Sequence, residues 1–268
     1  MSISSFTRTS FLAGLLPAAF ACSVFAQFKK RPDLSGLADA YEKRSYTAED
    51  GRKLPYRLRK PPVLEKDTTY PVLVCLHGSG GRGKDNRKNL SGSRASQVLA
   101  NPKMVKMYPC FSFVPQCPPE GSWSSRRGKE GRQDYAPVAL AALDALLKEF
   151  DEAVDPRRIY VTGQSMGGAG TYNMLSSRPG FFAAGVPVCG GWKLEDVPKL
   201  ARVPIWIFHG GNDRVVPTKY SRDLQAALKQ ARAVVKYTEY PGVGHNSWMK
   251  AYGDQKLWEW LFSLKRAK

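Results

Sequence analysis

The sequence predicts an α/β domain in which a mostly parallel central sheet is covered by helices on both faces. Three observations lead to this fold class. Apolar strand-like runs alternate with helical segments almost throughout the second half of the chain. Several of these runs are continuously apolar, as expected for strands buried on both faces. Four of the runs end in glycine, which is typical of strands that lead directly into turns.

The first 26 residues have the layout of a secretory signal peptide. They contain one charge, Arg8, and the apolar run "FLAGLLPAAFACSVFA", and they are followed by "QFKKR". A bilayer-spanning helix needs roughly 20 apolar residues, and this run is shorter and contains Pro17. We therefore predict a signal peptide over 1–26, a single domain over 27–268, a secreted or periplasmic location and no membrane span after cleavage.

The elements of the predicted domain follow one another in a regular order. Strands are predicted in "LPYRLRKP", "YPVLVCLHG" and "CFSFVPQCPP", with loops in "GSGGRGKDNRKN" and "EGSWSSRRGKEGRQD". Apolar residues at intervals of three and four, with Pro137 near the start, predict an amphipathic helix that reaches Phe150. Further along, the patterns predict a strand over 158–163, a helix from 165 to about 177, strands over 183–189 and 204–209, a helix over 218–231, a strand over 234–240 and a helix over 246–264.

Charge and cysteine content narrow the function classes only a little. The formal net charge of +18 attracts anions in general, and we expect no nucleic-acid partner. Cys75 and Cys189 lie in apolar runs and are predicted to be buried, whereas Cys110 and Cys117 could either pair or stay free. The chain has three scattered histidines and no CxxC, HExxH or phosphate-loop pattern. We therefore expect neither a metal site nor a cofactor.

One serine stands out because it lies between a strand-like run and a helix-forming run. Ser165 is the centre of the G-x-S-x-G pattern in "VTGQSMGGAG", where small neighbours allow a sharp turn that exposes the hydroxyl. Such a turn is the usual setting of a nucleophilic serine, although the short pattern also occurs in ordinary loops. The strand before it and the helix after it favour the nucleophile.

A nucleophilic serine needs a base and an acid that orients the base. Asp213 follows the strand 204–209 in "IFHGGNDRVVP", and His245 follows the last strand in "YPGVGHNSW". Asp213 could instead be a turn residue or helix cap, and either of the two remaining histidines, His77 or His209, could be the base. The order Ser165, Asp213, His245 favours these three as a catalytic triad, with structural roles for the other histidines.

The oxyanion of an acyl-transfer transition state needs two backbone N–H donors. The amide of Met166 follows the nucleophile at the start of a helix. The amide of Ser79 lies in "HGSGG", directly after the strand in "YPVLVCLHG", where the flanking glycines let the backbone turn. These two residues are the predicted oxyanion donors, although "HGSGG" could also be a simple flexible turn.

Taken together, these motifs resemble a known family. The segments "LHGSGGRGKDN", "PQCPPEGSW", "VTGQSMGGAGTYNML", "IFHGGNDRVVP" and "TEYPGVGHNSW" are similar in sequence and order to secreted α/β-hydrolases of the predicted-peptidase and phospholipase/carboxylesterase-like esterase group. This group is near the dienelactone hydrolase and polyhydroxybutyrate depolymerase-like esterases. The resemblance implies the α/β-hydrolase fold, the same triad and the same oxyanion donors, and no cofactor.

The expected reaction is hydrolysis of a carboxylic ester. Peptidases of related architecture use an extra domain to gate peptides, and the hydrolase core would occupy all of 27–268, so an ester is favoured over a peptide. A serine peptidase acting on small peptides and a non-catalytic basic polysaccharide-binding protein are the alternatives.

Three further residues are predicted to contact substrate. Trp123 lies beyond a strand end and either lines the substrate pocket or anchors its loop by packing. The stretches 78–94 and 118–133 carry nine basic and three acidic residues at the mouth of the predicted cleft, an excess that attracts anions. We therefore expect an esterified acidic polysaccharide as substrate, with Arg126 and Arg127 as candidate carboxylate contacts; a merely solvated basic surface is the alternative.

Overall fold

The backbone is organised around one large sheet and one small one. The computed structural model describes residues 36–124 and 132–267. The strands are β1 (Glu42–Thr47), β2 (Lys53–Arg59), β3 (Tyr70–Leu76), β4 (Phe111–Pro115), β5 (Gly121–Ser122), β6 (Gln133–Asp134), β7 (Val154–Gln164), β8 (Ala184–Val188), β9 (Ile205–Gly210) and β10 (Val235–Tyr240).

The large sheet has eight described strands in the order β1-β2-β4-β3-β7-β8-β9-β10. The β1–β2 and β2–β4 pairs are antiparallel, and all later neighbours are parallel. β5 and β6 form a separate short parallel pair. The mostly parallel arrangement confirms the predicted fold class, the α/β-hydrolase fold.

Helices cover both faces of the large sheet. The two faces are visible in β3, where Val72, Val74 and Leu76 belong to one apolar cluster and Leu73 and Cys75 to the other. All five of these side chains are fully buried. The helices are α1 (Lys88–Ser91), α2 (Arg94–Leu99), α3 (Pro102–Met107), α4 (Ala136–Glu149), α5 (Met166–Ser177), α6 (Val197–Leu200), α7 (Lys219–Gln230), α8 (Trp248–Ala251) and α9 (Gln255–Ser263).

The structure differs from the predicted elements in several places, and the short strands β5 and β6 and the helix α6 are among the elements that were not predicted. β1 was not predicted, because this edge strand is mostly solvent-exposed and its sequence, "EKRSYT", carries little apolar signal. The short helices α1, α2 and α3 were likewise missed. The helix predicted over 246–264 is two helices, because the Asp254 side chain accepts a hydrogen bond from the Lys256 amide and starts α9 as a new helix.

The parallel strands end along one rim of the sheet, where the predicted site residues follow them. Ser165 follows β7, Asp213 follows β9 and His245 follows β10. Because the carboxyl ends of neighbouring parallel strands lie side by side, residues far apart in sequence meet there. The rim is therefore the part of the fold that positions the candidate site.

Two groups of sequence predictions concern residues outside the described ranges. These are the signal peptide over 1–26 and the substrate contacts Arg126 and Arg127. The signal peptide stays a prediction, which N-terminal sequencing of the exported protein would test. Within residues 36–124 and 132–267, no helix is both long enough and apolar enough to cross a membrane.

The four cysteines among the described residues are all buried and free. Cys75 and Cys189 lie in the core, as predicted. Cys110 and Cys117 do not pair: Cys110 lies beside Arg59, whose Nη2 is 3.7 Å from its Sγ, and Cys117 packs in the cluster on the other face of the sheet.

Candidate active site

Ser165 occupies a sharp turn between β7 and α5. Its φ of +55° lies in the left-handed region that residues other than glycine rarely adopt. Small residues make the turn possible, because a Cβ at Gly163 would collide with the Gly167 carbonyl and a Cβ at Gly167 with the Leu76 carbonyl. The glycines around Ser165 therefore provide the clearance that lets β7 and α5 meet at the serine.

A hydrogen-bonded chain joins the serine to a histidine and an aspartate. His245 Nε2 lies 2.8 Å from Ser165 Oγ, and His245 Nδ1 lies 2.7 Å from Asp213 Oδ2. An ionised carboxylate can only accept, so Nδ1 carries the proton and Nε2 is free to accept from the serine hydroxyl. The structure thus brings together the three residues that the sequence predicts as a triad.

Asp213 is held in its ionised form by four hydrogen-bond donors. Oδ1 accepts from the amides of Val215 and Val216 at 2.8 and 2.9 Å, and Oδ2 accepts from His245 and from His209. Burial opposes ionisation, but the hydrogen bonds from His245 and the two amides outweigh it and hold the pKa of Asp213 below its ordinary value. A buried anion therefore stands behind the imidazole of His245.

His209 is a second histidine on the same carboxylate. Its Nε2 lies 3.1 Å from Asp213 Oδ2 and 3.0 Å from the Val216 carbonyl, so this nitrogen carries the proton. Its Nδ1 lies 2.7 Å from Ser221 Oγ, which donates to it. Burial lowers the pKa of His209 and keeps the ring neutral. A structural role was predicted for His209, and its contact with Asp213 could not be read from spacing alone.

The two predicted oxyanion donors lie on the wall of the same cleft as Ser165. Met166 is the first residue of α5, where backbone amides have no partner within the helix. Ser79 begins a short 3-10 turn, Ser79–Gly81, directly after β3. At Gly78 the chain passes close to the serine: a Cβ at this position would lie 3.8 Å from Ser165 Cβ.

The cleft itself has a volume of about 320 Å³ and a polar, cationic wall. Two arginines, Arg82 and Arg132, contribute to this wall together with serines that lie outside the triad. Neither arginine was predicted to be a site residue, although both fall within the basic stretches 78–94 and 118–133. The lining residues are Ser79, Arg82, Ser122, Ser124, Arg132, Ser165, Met166, Ala169, Gly191 and Val216.

Trp123 was predicted to line the substrate pocket, and the structure places it in the core instead. Its side chain is fully buried, packs edge-on against His77 and donates from Nε1 to the His77 carbonyl at 3.1 Å. The Trp123 side chain also fills the space beside Gly170, so a Cβ at Gly170 would collide with Trp123. Trp123 is therefore packed behind the cleft wall, which agrees with the anchoring alternative and not with a substrate contact.

His77 is fully buried and both of its ring nitrogens are used. The Cys117 amide donates to Nε2 at 3.0 Å, so Nδ1 carries the proton and donates to the Gly78 carbonyl at 2.6 Å. Burial lowers the pKa of His77 to about 4. This geometry agrees with the structural role predicted for His77, which ties the loop after β3 to the loop after β4.

One cluster near the triad has the residue types of a metal site. Cys189, Asp213 and His245 present ligand atoms within 4.8 Å of one another. Burial raises the pKa of the Cys189 thiol to about 12, which disfavours the thiolate that metals prefer. Asp213 and His245 are already engaged with each other, so a metal here would compete with the hydrogen-bonded chain.

Comparison with known proteins places the chain in a family. The sequence profile of the Phospholipase/Carboxylesterase family matches residues 122–256, about half of the chain. The protein belongs to this family. The match begins just before Trp123 and includes the whole hydrogen-bonded chain of Ser165, Asp213 and His245.

Relatives of this family member include esterases and a peptidase. The crystal structure of a thermostable esterase has a TM-score of 0.79 and 38% identity, covering 86% of this chain and 64% of that one. Acyl-protein thioesterase 1 of Neurospora crassa is 26% identical over 218 residues, covering 70% of this chain and 86% of that protein. An uncharacterized peptidase of Bacillus subtilis is 28% identical over 243 residues, covering 76% of this chain but only 35% of that protein.

Proposed function

We propose that this family member is a serine esterase that cleaves carboxylic esters through an acyl-enzyme. The observation that carries the proposal is His245, which bridges Ser165 Oγ and Asp213 Oδ2 within 2.8 Å of each. This arrangement is what a serine hydroxyl needs in order to become a nucleophile. The esterase and thioesterase relatives support ester substrates.

Each of the three hydrogen-bonded residues has a defined part in the proposed reaction. Ser165 Oγ attacks the acyl carbon while His245 Nε2 takes the hydroxyl proton, and ionised Asp213 stabilises the imidazolium that forms. The carbonyl oxygen becomes an oxyanion, which accepts hydrogen bonds from the amides of Met166 and Ser79. The bond to the alcohol then breaks, and His245 gives its proton to the leaving alkoxide.

A second half-reaction restores the enzyme. Water attacks the acyl-serine and passes a proton to His245 Nε2, again through an oxyanion held by the two amides. When this intermediate collapses, the acid leaves and Ser165 Oγ regains the proton. Every proton transfer uses the Nε2 position, which the hydrogen bond from Nδ1 to Asp213 keeps facing the serine.

The substrate class is also a proposal. We propose that the ester belongs to an acidic polysaccharide bearing acyl groups, because the basic stretches 78–94 and 118–133 both follow strands that end at the rim. The second stretch contains Arg126 and Arg127, which lie outside the described residues. Acetylated oligosaccharides with and without uronate units test this substrate class directly: equal kcat/KM on both would contradict it.

Replacement of the nucleophile tests the mechanism. Ser165→Ala is expected to lower kcat on 4-nitrophenyl acetate and butyrate by a factor of about 10⁴ to 10⁶, because it removes the hydroxyl that forms the acyl-enzyme. Ser177→Ala, which removes an exposed hydroxyl at the far end of the same helix, is the matched control and should leave kcat unchanged.

The same assay separates the proposed function from its alternatives. A Ser165→Ala variant that keeps more than a tenth of wild-type turnover would contradict the serine mechanism. Wild-type protein that cleaves 4-nitroanilides of short peptides but not 4-nitrophenyl esters would favour a peptidase, as the name of the Bacillus subtilis relative suggests. Binding of oligosaccharides without turnover of any ester would favour a binding protein.

A further inference from the structure

Two guanidinium groups converge on one carbonyl oxygen in the wall of the cleft. Arg82 Nε donates to the Gly121 carbonyl at 2.9 Å, and Arg132 Nη1 donates to the same oxygen at 3.3 Å. Arg132 Nη1 also donates to the Pro119 carbonyl at 2.8 Å. These backbone contacts hold two long, otherwise mobile side chains in fixed positions. Both arginines are half-buried and both line the cavity that contains Ser165.

The positive charge of this pair is not balanced by a carboxylate within residues 36–124 and 132–267. The neighbouring Glu120 pairs with Lys84 at 3.0 Å. Asp134 accepts from the Asn173 side chain and from the Ala136 amide, and Asp85 accepts from the Gln116 side chain and from the Arg87 and Lys88 amides. Burial and the nearby positive charge of Arg132 both lower the pKa of Arg82. Two like charges that are held close together, with no carboxylate paired to them among the described residues, repel each other, and an anion bound between them would relieve that repulsion.

The remaining hydrogen-bond donors suit a particular kind of anion. Among the described residues, the contacts with Gly121 and Pro119 use Nε of Arg82 and Nη1 of Arg132, and the Arg82 fork also contacts the buried Cys117 thiol. Nε and Nη2 of Arg132 and the rest of the Arg82 fork can therefore still donate to a ligand. Planar guanidinium forks bind carboxylates through paired hydrogen bonds. The volume of about 320 Å³ is at the small end of ligand cavities, which favours an ester whose charged group lies only a few bonds from the scissile bond.

We propose that Arg82 and Arg132 form a subsite for a carboxylate carried by the ester that Ser165 attacks. The subsite rests on the proposed esterase function and specifies its substrate as a short anionic ester unit. A uronate residue within an acylated polysaccharide has this chemistry, and so does a free dicarboxylic monoester. The pair would orient the substrate by its charge while the amides of Met166 and Ser79 receive the oxyanion.

Matched substrates test the subsite on both sides of the scissile bond. For the acyl side, mono-4-nitrophenyl adipate is compared with its methyl ester, and for the alcohol side, 4-acetoxybenzoate is compared with methyl 4-acetoxybenzoate. In at least one pair, the wild-type enzyme should show a kcat/KM about tenfold higher for the anionic member at low salt. That advantage should shrink as NaCl rises from about 20 to 500 mM, a range over which screening becomes strong.

Variants then assign the preference to the two arginines. Arg82→Gln and Arg132→Gln should each lower kcat/KM on the preferred anionic ester by about tenfold and change it less than threefold on the neutral partner. Lys84→Gln is the matched control, because it removes a cation only two residues from Arg82. The Lys84 side chain is 68% exposed and pairs with Glu120 outside the cleft. It should leave the ratio of the two rates unchanged.

The outcomes distinguish the subsite from the esterase function itself. Equal wild-type kcat/KM for both members of both pairs, or equal losses on charged and neutral esters in the arginine variants, would overturn the subsite and leave the esterase function standing. Absence of ester hydrolysis altogether would overturn the esterase function and the subsite with it. If a variant does not fold, the wild-type preference and its salt dependence decide the matter.

Discussion

One oxygen of Asp213 accepts hydrogen bonds from two histidines. Oδ2 accepts from His245 at 2.7 Å and from His209 at 3.1 Å, while Oδ1 is held by two backbone amides. His209 is itself locked by Ser221, whose hydroxyl donates to Nδ1 and so fixes the proton on Nε2. His209 is therefore a positioning residue: it does not touch the reacting atoms but holds the carboxylate in the orientation that His245 needs.

Substitution of His209 tests this positioning role. His209→Leu removes the donor and is expected to lower kcat by about tenfold, in line with the loss of one hydrogen bond to a charged group. His209→Gln can place an amide N–H near the same oxygen and should restore most of kcat. The measurement is kcat on a neutral 4-nitrophenyl ester, with circular dichroism to check the fold. Equal losses in both variants would show that His209 serves only to fill space.

At the scale of the elements, α5 packs unusually close to its neighbours. Glycines at three positions of the helix remove the side chains that would collide with β3, β8 and the indole of Trp123. Trp123 fills the space beside Gly170 and links the turn after β5 to the end of β3 through its hydrogen bond with the His77 carbonyl. The position of Ser165 thus depends on a packed layer behind it as well as on its own turn.

Truncation of Trp123 should therefore affect stability. Trp123→Ala is expected to lower the free energy of unfolding by about 3–5 kcal/mol, because it leaves a cavity in the core and an unpartnered carbonyl. Trp123→Phe keeps most of the packing and should cost less. Urea unfolding of the three proteins measures this, alongside KM for a neutral ester. A normal unfolding free energy together with a raised KM would restore the substrate-pocket role first predicted for Trp123.

At the scale of the whole molecule, two buried neutral histidines lie at strand ends on the rim. His77 follows β3 and His209 belongs to β9, and neither side chain has any exposed surface. Burial lowers the pKa of His77 to about 4 and also lowers that of His209. A histidine in an unfolded chain titrates near pH 6.5. Below that pH the unfolded chain therefore binds protons that the folded protein does not.

This difference predicts how stability depends on pH. The contribution of neutral His77 to the free energy of unfolding is fully present above about pH 6.5. It is lost as the pH falls from there to about 4, at up to about 1.4 kcal/mol per pH unit. His209 acts in the same direction. Unfolding free energies measured in urea between pH 7.5 and 4.5 should fall accordingly, and His77→Gln should show a shallower fall. An unchanged slope in that variant would contradict the prediction.

The sequence was sufficient for those features that depend on local pattern. Continuous apolar runs ending in glycine predicted β3, β7, β8 and β9, and the spacing of apolar residues predicted α4. Ser165, Asp213 and His245 could be selected because parallel strands deliver their carboxyl ends to one rim, so position after a strand already implies a place in space. The exposed strand β1 lacked such a pattern, since its stability comes from pairing with β2 and not from its own residues.

Tertiary structure alone decided the contacts between residues distant in sequence. Trp123 and a surface tryptophan look the same in sequence, and only packing against Gly170 and His77 places it in the core. Arg82 and Arg132 lie 50 positions apart, and it is the Gly121 carbonyl that holds them together in the cleft. Local patterns report which backbone forms, because backbone preferences act over a few residues. Which side chains share a cavity depends on how the loops between strands fold back over the rim, and no short stretch of sequence contains that information.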